Sequence, residues 1–124
     1  MEIALTNREA DVIHVLWDHG PSLVAEVRDR LADELAYTTV LTILRTLESK
    51  GYVSHEEEGR GHRYFPLVEQ QAAQRSALRH LKQKLFRGST ELLFTHLVSG
   101  QKLSPEQIKR MRKLLASKGE KGET

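Results

Sequence analysis

Residues 37–66 read YTTVLTILRTLESKGYVSHEEEGRGHRYFP, and the change of period within this stretch decides the fold. Val40, Ile43, Leu44 and Leu47 recur at helical spacing and predict the buried stripe of a helix that begins near Tyr37–Thr38 and stops at Gly51. Tyr52-Val53 and His62–Phe65 are β-rich, the glycines at 59 and 61 permit a tight reversal between them, and Pro66 closes the second strand. A helix followed directly by a basic-tipped hairpin has the layout of a winged helix-turn-helix, in which the helix can enter a DNA groove while the tip touches the neighbouring backbone.

The outer face of that helix is unusual in composition. Thr38, Thr42, Arg45 and Ser49 form a polar stripe, bordered by Thr39 and Thr46. Threonine is a mediocre helix former, so this density points to a face kept for contact, the alternative being a solvated surface. A Thr hydroxyl can bond phosphate or base, and its methyl can pack on a thymine methyl. Arg45 suits guanine or phosphate. Lys50 suits a phosphate or the helix dipole. Arg60, between two glycines, reads as a phosphate or minor-groove probe, or as a solubility residue. Of His62 and Arg63, one is expected to face DNA while Tyr64 or Phe65 packs inward, because strand neighbours alternate.

Working outward, Thr6-Asn7-Arg8-Glu9 matches a capping box, and a helix follows until His19-Gly20-Pro21. Val24, Val27, Leu31 and Leu35 predict a second helix over roughly 24–35. Beyond Pro66 the pattern is helical again, with a break at Gly88-Ser89 and a strong start at Ser104-Pro105-Glu106-Gln107. Three short amphipathic helices carry too few apolar residues for a separate monomeric core. They read as half of a dimer interface through Leu78, Leu81, Leu85, Leu92, Leu93, Leu97, Ile108, Met111 and Leu115, the alternative being that they fold back on the N-terminal lobe. The predicted fold is thus mainly α with a small β-wing: a winged helix-turn-helix over 1–67, a helical dimerisation lobe over 68–117 and a flexible polar tail over 118–124.

A chain of 124 residues with 39% hydrophobic and 29% charged residues is ordinary for a soluble globular protein. Having no cysteine, it cannot form disulfides or thiolate metal sites. No apolar run approaches a membrane span and the N-terminus lacks a signal-peptide core, so a cytoplasmic location is expected. Residues 1–66 hold seven Lys/Arg and twelve Asp/Glu, residues 67–124 twelve and five. An acidic N-terminal lobe counts against DNA binding, although Arg45, Lys50, Arg60 and Arg63 all fall on the helix or wing. The six histidines lack metal-ligand spacing, His55 and His62 across the wing being the one pair to check. Gly59-x-Gly61 is no nucleotide loop, and no nucleophile constellation is present. No enzyme activity, metal or cofactor is expected.

Taken together, Leu5-Thr6 with Glu9, Leu16-Trp17, Tyr37-Thr38-Thr39-Val40, Leu47 through Lys50-Gly51, Gly59-Arg60-Gly61-His62-Arg63-Tyr64 into Pro66-Leu67, and Leu103-Ser104 resemble the penicillinase repressor (BlaI/MecI/CopY) family of winged-helix regulators. The resemblance implies a homodimeric repressor that occupies an inverted-repeat operator in double-stranded DNA. Thr38, Thr39, Thr42, Arg45 and Thr46 match the family's DNA-facing helix, and Arg60 and Arg63 its wing. The resemblance also implies a membrane sensor protease that cleaves an Asn-Phe bond, but His96-Leu97 stands at that place here. The cysteine cluster of copper-responsive members is absent. Two other readings remain open at this point: a winged-helix protein-interaction module, and a regulator that responds to a small molecule.

Overall fold

Thr6 and Glu9 begin the first helix by satisfying each other. In the computed structural model, which describes residues 2–122, the Glu9 amide donates to the Thr6 hydroxyl at 3.2 Å and the Thr6 amide donates to the Glu9 carboxylate at 2.8 Å. Two first-turn donors that helix geometry would orphan are thereby used. The helix α1 (Asn7–His19) follows and ends at Gly20, whose φ of +79° suits glycine. Next come β1 (Ser22–Leu23), α2 (Val24–Arg30), α3 (Tyr37–Ser49), and the hairpin β2 (Val53–Glu58) and β3 (Gly61–Pro66). The strands form one antiparallel sheet in the order β1-β3-β2, with Tyr64 paired to Ser22 on one side and His55 on the other.

Val12 and Ile13 of α1, Val27 of α2, and Val40, Leu44 and Leu47 of α3 are completely buried and meet Tyr64 of the sheet. Burying each such side chain contributes about 1.5–3 kcal/mol, enough to fix α3 against the sheet by one face only. Trp17 is half-buried on this core and donates its indole N–H to the Val68 carbonyl at 2.9 Å.

Four features depart from the sequence reading. The second helix stops at Arg30, not near Leu35: Leu31 turns extended (ψ +142°), and Arg8 reaches Asp33 at 2.7 Å in the irregular segment that follows. Leu31 and Leu35 still pack on the core from that segment. A third strand, β1, adds to the two expected.

The chain also divides into compact units after His80, not after Leu67. Residues early in α4 (Gln70–Leu85) belong to the first unit, because buried Ala73 joins its core and the buried Ser76 hydroxyl accepts from the Ile3 amide at 2.9 Å. The second unit holds the end of α4, α5 (Thr90–Ser99) and α6 (Pro105–Gly122). Ser89 caps α5, and Ser104 with Gln107 forms the expected reciprocal cap of α6. The helix α6 runs to Gly122, so the polar tail expected from Lys118 is helical that far; Glu123 and Thr124 lie outside the described residues. Backbone hydrogen bonds carry a helix past its last apolar residue without any need of a core.

Candidate nucleic-acid interface

Burial of Val40, Leu44 and Leu47 turns the opposite side of α3 outward. Thr38, Thr39, Thr42, Arg45, Thr46 and Ser49 are all exposed there. Tyr37, Leu41 and Arg45, four residues apart, form the row of α3 nearest the hairpin. With Arg60, Gly61 and His62 of the wing and Val24 they line a cleft of about 170 Å³. The Tyr37–Leu41–Arg45 row of α3 and the hairpin tip therefore line one concave surface, with the threonines on the rows of α3 beside it.

The tip is a two-residue loop, Gly59-Arg60, between the paired residues Glu58 and Gly61. Only its first residue has positive φ (+60°), the pattern of a type II′ turn that matches strand twist and needs glycine at that place. Arg60 is exposed, and neither it nor Arg45 forms an ion pair among the described residues. These two guanidiniums are uncommitted.

The other two cations expected to touch DNA are engaged within the protein. Lys50 reaches the Glu9 carboxylate at 2.8 Å, where the Glu9 side chain is only 5% exposed. Burial alone would raise the Glu9 pKa, but Lys50 and the Thr6 amide together hold it below the ordinary carboxylate value. Arg63 donates to Glu58, to the Pro21 carbonyl at 3.1 Å and to Glu26 at 3.4 Å. These carboxylates, Glu58 foremost, raise its pKa. The Leu23 amide first, and the Arg63 charge after it, lower that of Glu26. Lys50 thus braces the first helix, and Arg63 ties the wing to the segment before α2. Glu9 and Glu26 lie far off in the chain, so the sequence shows neither of those contacts; Glu58, five residues from Arg63 across the hairpin, is the near partner.

The wing residues differ in their surroundings. Tyr64 packs inward, 1% exposed, with burial raising its phenol pKa. His62 lines the cleft. Its ring stacks on His55 at 4.3 Å between centroids, and His55 Nδ1 lies 2.8 Å from both carboxylate oxygens of Glu48 on α3. Glu48, His55 and His62 thus link the helix to the wing. Among the described residues no group of three His, Asp or Glu side chains is placed to hold a metal ion, and no helix is long and apolar enough to cross a membrane.

Of the side chains assigned to dimerisation, Leu93 is buried within the second unit and Met111 is half-buried. Leu78, Leu81, Leu85, Leu92, Leu97, Ile108 and Leu115 are exposed. Leu93 is thus a core residue of its own unit. Its neighbours one turn away carry the open face.

Comparison with known proteins agrees with this geometry. The family model described as Penicillinase repressor matches residues 5–117. The chain is similar to the methicillin resistance regulatory protein MecI of Staphylococcus aureus (strain N315), at 20% identity over 92% of this chain and 94% of that protein. It is 38% identical to the transcriptional regulator BlaI of Mycobacterium tuberculosis (strain CDC 1551 / Oshkosh) over 51% of this chain and 48% of that one. Among solved structures, the transcriptional regulator Tm0710 from Thermotoga maritima superposes with a TM-score of 0.54 at 16% identity, over 92% of this chain and 74% of that one. With a winged-helix fold, an exposed reading face and a family match spanning nearly its whole length, the chain belongs to the penicillinase repressor family.

Proposed function

We propose that this repressor binds a specific inverted-repeat operator as a homodimer, with α3 of each protomer in a major groove and each wing against the adjoining backbone. The supporting observation is the single cleft shared by the exposed face of α3 and the wing, with Arg45 and Arg60 uncommitted at its borders. In this reading Thr38, Thr39, Thr42, Arg45 and Thr46 contact the groove, and Arg60 and His62 contact the backbone or its edge. Lys50 and Arg63 support the interface from behind. The exposed leucines of α4, α5 and α6 form the dimer contact. Proteolytic release at His96–Leu97 would require unwinding α5, because that bond lies within the helix.

A second reading, a protein-interaction module, draws support from charge: residues 1–80 hold nine Lys/Arg against thirteen Asp/Glu. Salt separates the two. A DNA complex loses affinity with a slope of about −0.9 in log–log form for each phosphate neutralised. The Arg45→Ala, Arg60→Ala double variant is expected to abolish operator binding in a fluorescence-anisotropy titration. Undiminished binding by that variant overturns the assignment of the surface.

A further inference from the structure

The threonine hydroxyls in the middle of α3 are already committed as donors. Thr42 Oγ1 donates to the Thr38 carbonyl at 2.9 Å, and Thr46 Oγ1 donates to the Thr42 carbonyl at 3.0 Å. A hydroxyl carries one hydrogen, so in these rotamers each residue offers a partner only its γ-methyl and its acceptor lone pairs. Phosphate oxygens are acceptors, and two acceptors do not bond. A phosphate contact by either hydroxyl would require its side chain to leave the bond it makes.

Towards the ends of the face the hydroxyls of Thr38, Thr39 and Ser49 make no hydrogen bond among the described residues, so the commitment is confined to its middle. The helix contains no Asn, Gln or Asp, and its one carboxylate, Glu48, is held by His55. Tyr37 is 43% exposed at the start of the helix, and Leu41 one turn on is half-buried in the cleft. Arg45 alone presents several donors. The middle of the face thus has methyls to offer beside Arg45, with the Tyr37 ring at one end. In the major groove only thymine carries a methyl group, so an apolar surface there distinguishes thymine from the other bases.

We propose that α3 recognises its DNA site chiefly through thymine 5-methyl groups, packed against the γ-methyls of Thr42 and Thr46 and the ring of Tyr37. Arg45 is the one side chain that reads a base by paired hydrogen bonds. This specificity rests on the DNA-reading role proposed above.

The test begins with selection of duplexes from a random-sequence pool by the purified full-length chain. The recovered duplex is then resynthesised with each thymine in turn replaced by deoxyuridine, which keeps the hydrogen-bonding edge and lacks only the methyl. Anisotropy titrations with the wild type are expected to show affinity falling about four-fold at one or more positions of each half-site, the loss typical of one buried methyl. Thr42→Val keeps the methyl and removes the hydroxyl, and is expected to keep the thymine–uracil ratio of the wild type whatever its absolute affinity. Thr42→Ser keeps the hydroxyl and removes the methyl, and is expected to bring that ratio to about one at a sensitive position. Thermal melts of both variants check that the helix persists.

Uracil tolerated by the wild type at every position overturns the inference and leaves the repressor reading standing. So does Thr42→Ser leaving every thymine–uracil ratio unchanged. A pool that yields no preferred sequence defeats both.

Discussion

The two units put the same aliphatic side chains to opposite uses. In the first, every valine and leucine that α1, α2 and α3 turn inward is removed from water, and Leu44 is completely buried. In the second, Leu93 is the one buried aliphatic side chain among the described residues, while Leu85 is 66% and Leu114 71% exposed. Both units are amphipathic, so hydrophobic pattern alone does not distinguish them. What differs is whether the apolar faces have partners within the chain. A domain closed by its own core has no apolar face left to cover, whereas a helical unit with an open apolar face suits the pairing with another copy proposed above.

The largest expected break in this contrast comes from truncating matched leucines. Leu44→Ala is expected to destabilise the first unit by about 2–5 kcal/mol, because it leaves a cavity in packed surroundings. Leu114→Ala removes nothing from the core of the first unit and is expected to change the unfolding of that unit by less than about 0.5 kcal/mol. Denaturant unfolding of the two variants measures both, and equal losses would remove the distinction between the units. Charge placed on the open face tests the pairing itself. Leu81→Glu with Leu85→Glu is expected to weaken self-association at least about 100-fold in sedimentation equilibrium while leaving the melt of the first unit unchanged, since the charges would be desolvated across the contact.

A smaller effect sharpens the account of the first unit. Lys50→Met leaves the Glu9 carboxylate buried without its cation, at an expected cost of about 1–3 kcal/mol near pH 7. The sign with pH follows from the lowered pKa of Glu9. A carboxyl whose folded pKa lies below its unfolded value of 4.5 stabilises the fold above that value, and the contribution fades as the pH falls through the folded pKa. The gap in unfolding free energy between wild type and variant is therefore expected to narrow from pH 7 to pH 3. A gap that stays constant would show that Lys50 acts by packing alone. The smallest effect expected is that of His55→Ala, which severs the link from Glu48 to the wing. Loss of about 1 kcal/mol or less in stability and a few-fold weaker DNA binding would fit a bracing role.

Much of the reading unit was legible because its signals are local. The Thr6–Glu9 cap, the stripe from Val40 to Leu47, the Gly51 stop and the glycine-flanked hairpin tip each lie within a few residues of what they determine. The parts that escaped depend on distant partners. The end of α2 at Arg30 follows from the extended turn of Leu31, which packs its side chain on the core without continuing the helix. The two-residue β1 exists only because β3 pairs with it. Lys50 and Arg63 read as DNA-contacting cations from their positions, yet Glu9, 41 residues from Lys50, and Glu58 and Glu26, 5 and 37 residues from Arg63, hold them. The threonine face was visible as a pattern, but the commitment of its hydroxyls to the helix backbone was not.

The chain of contacts from Glu48 through His55 to His62 links the hairpin to the helix, so that the two points proposed to touch a duplex keep a set spacing. Two fixed points act as a caliper. In the proposed complex the protein cannot swing its wing to suit a wider or narrower groove, and a mismatched duplex would have to deform instead. Flexibility of the DNA at bases the protein never touches then becomes part of what is recognised.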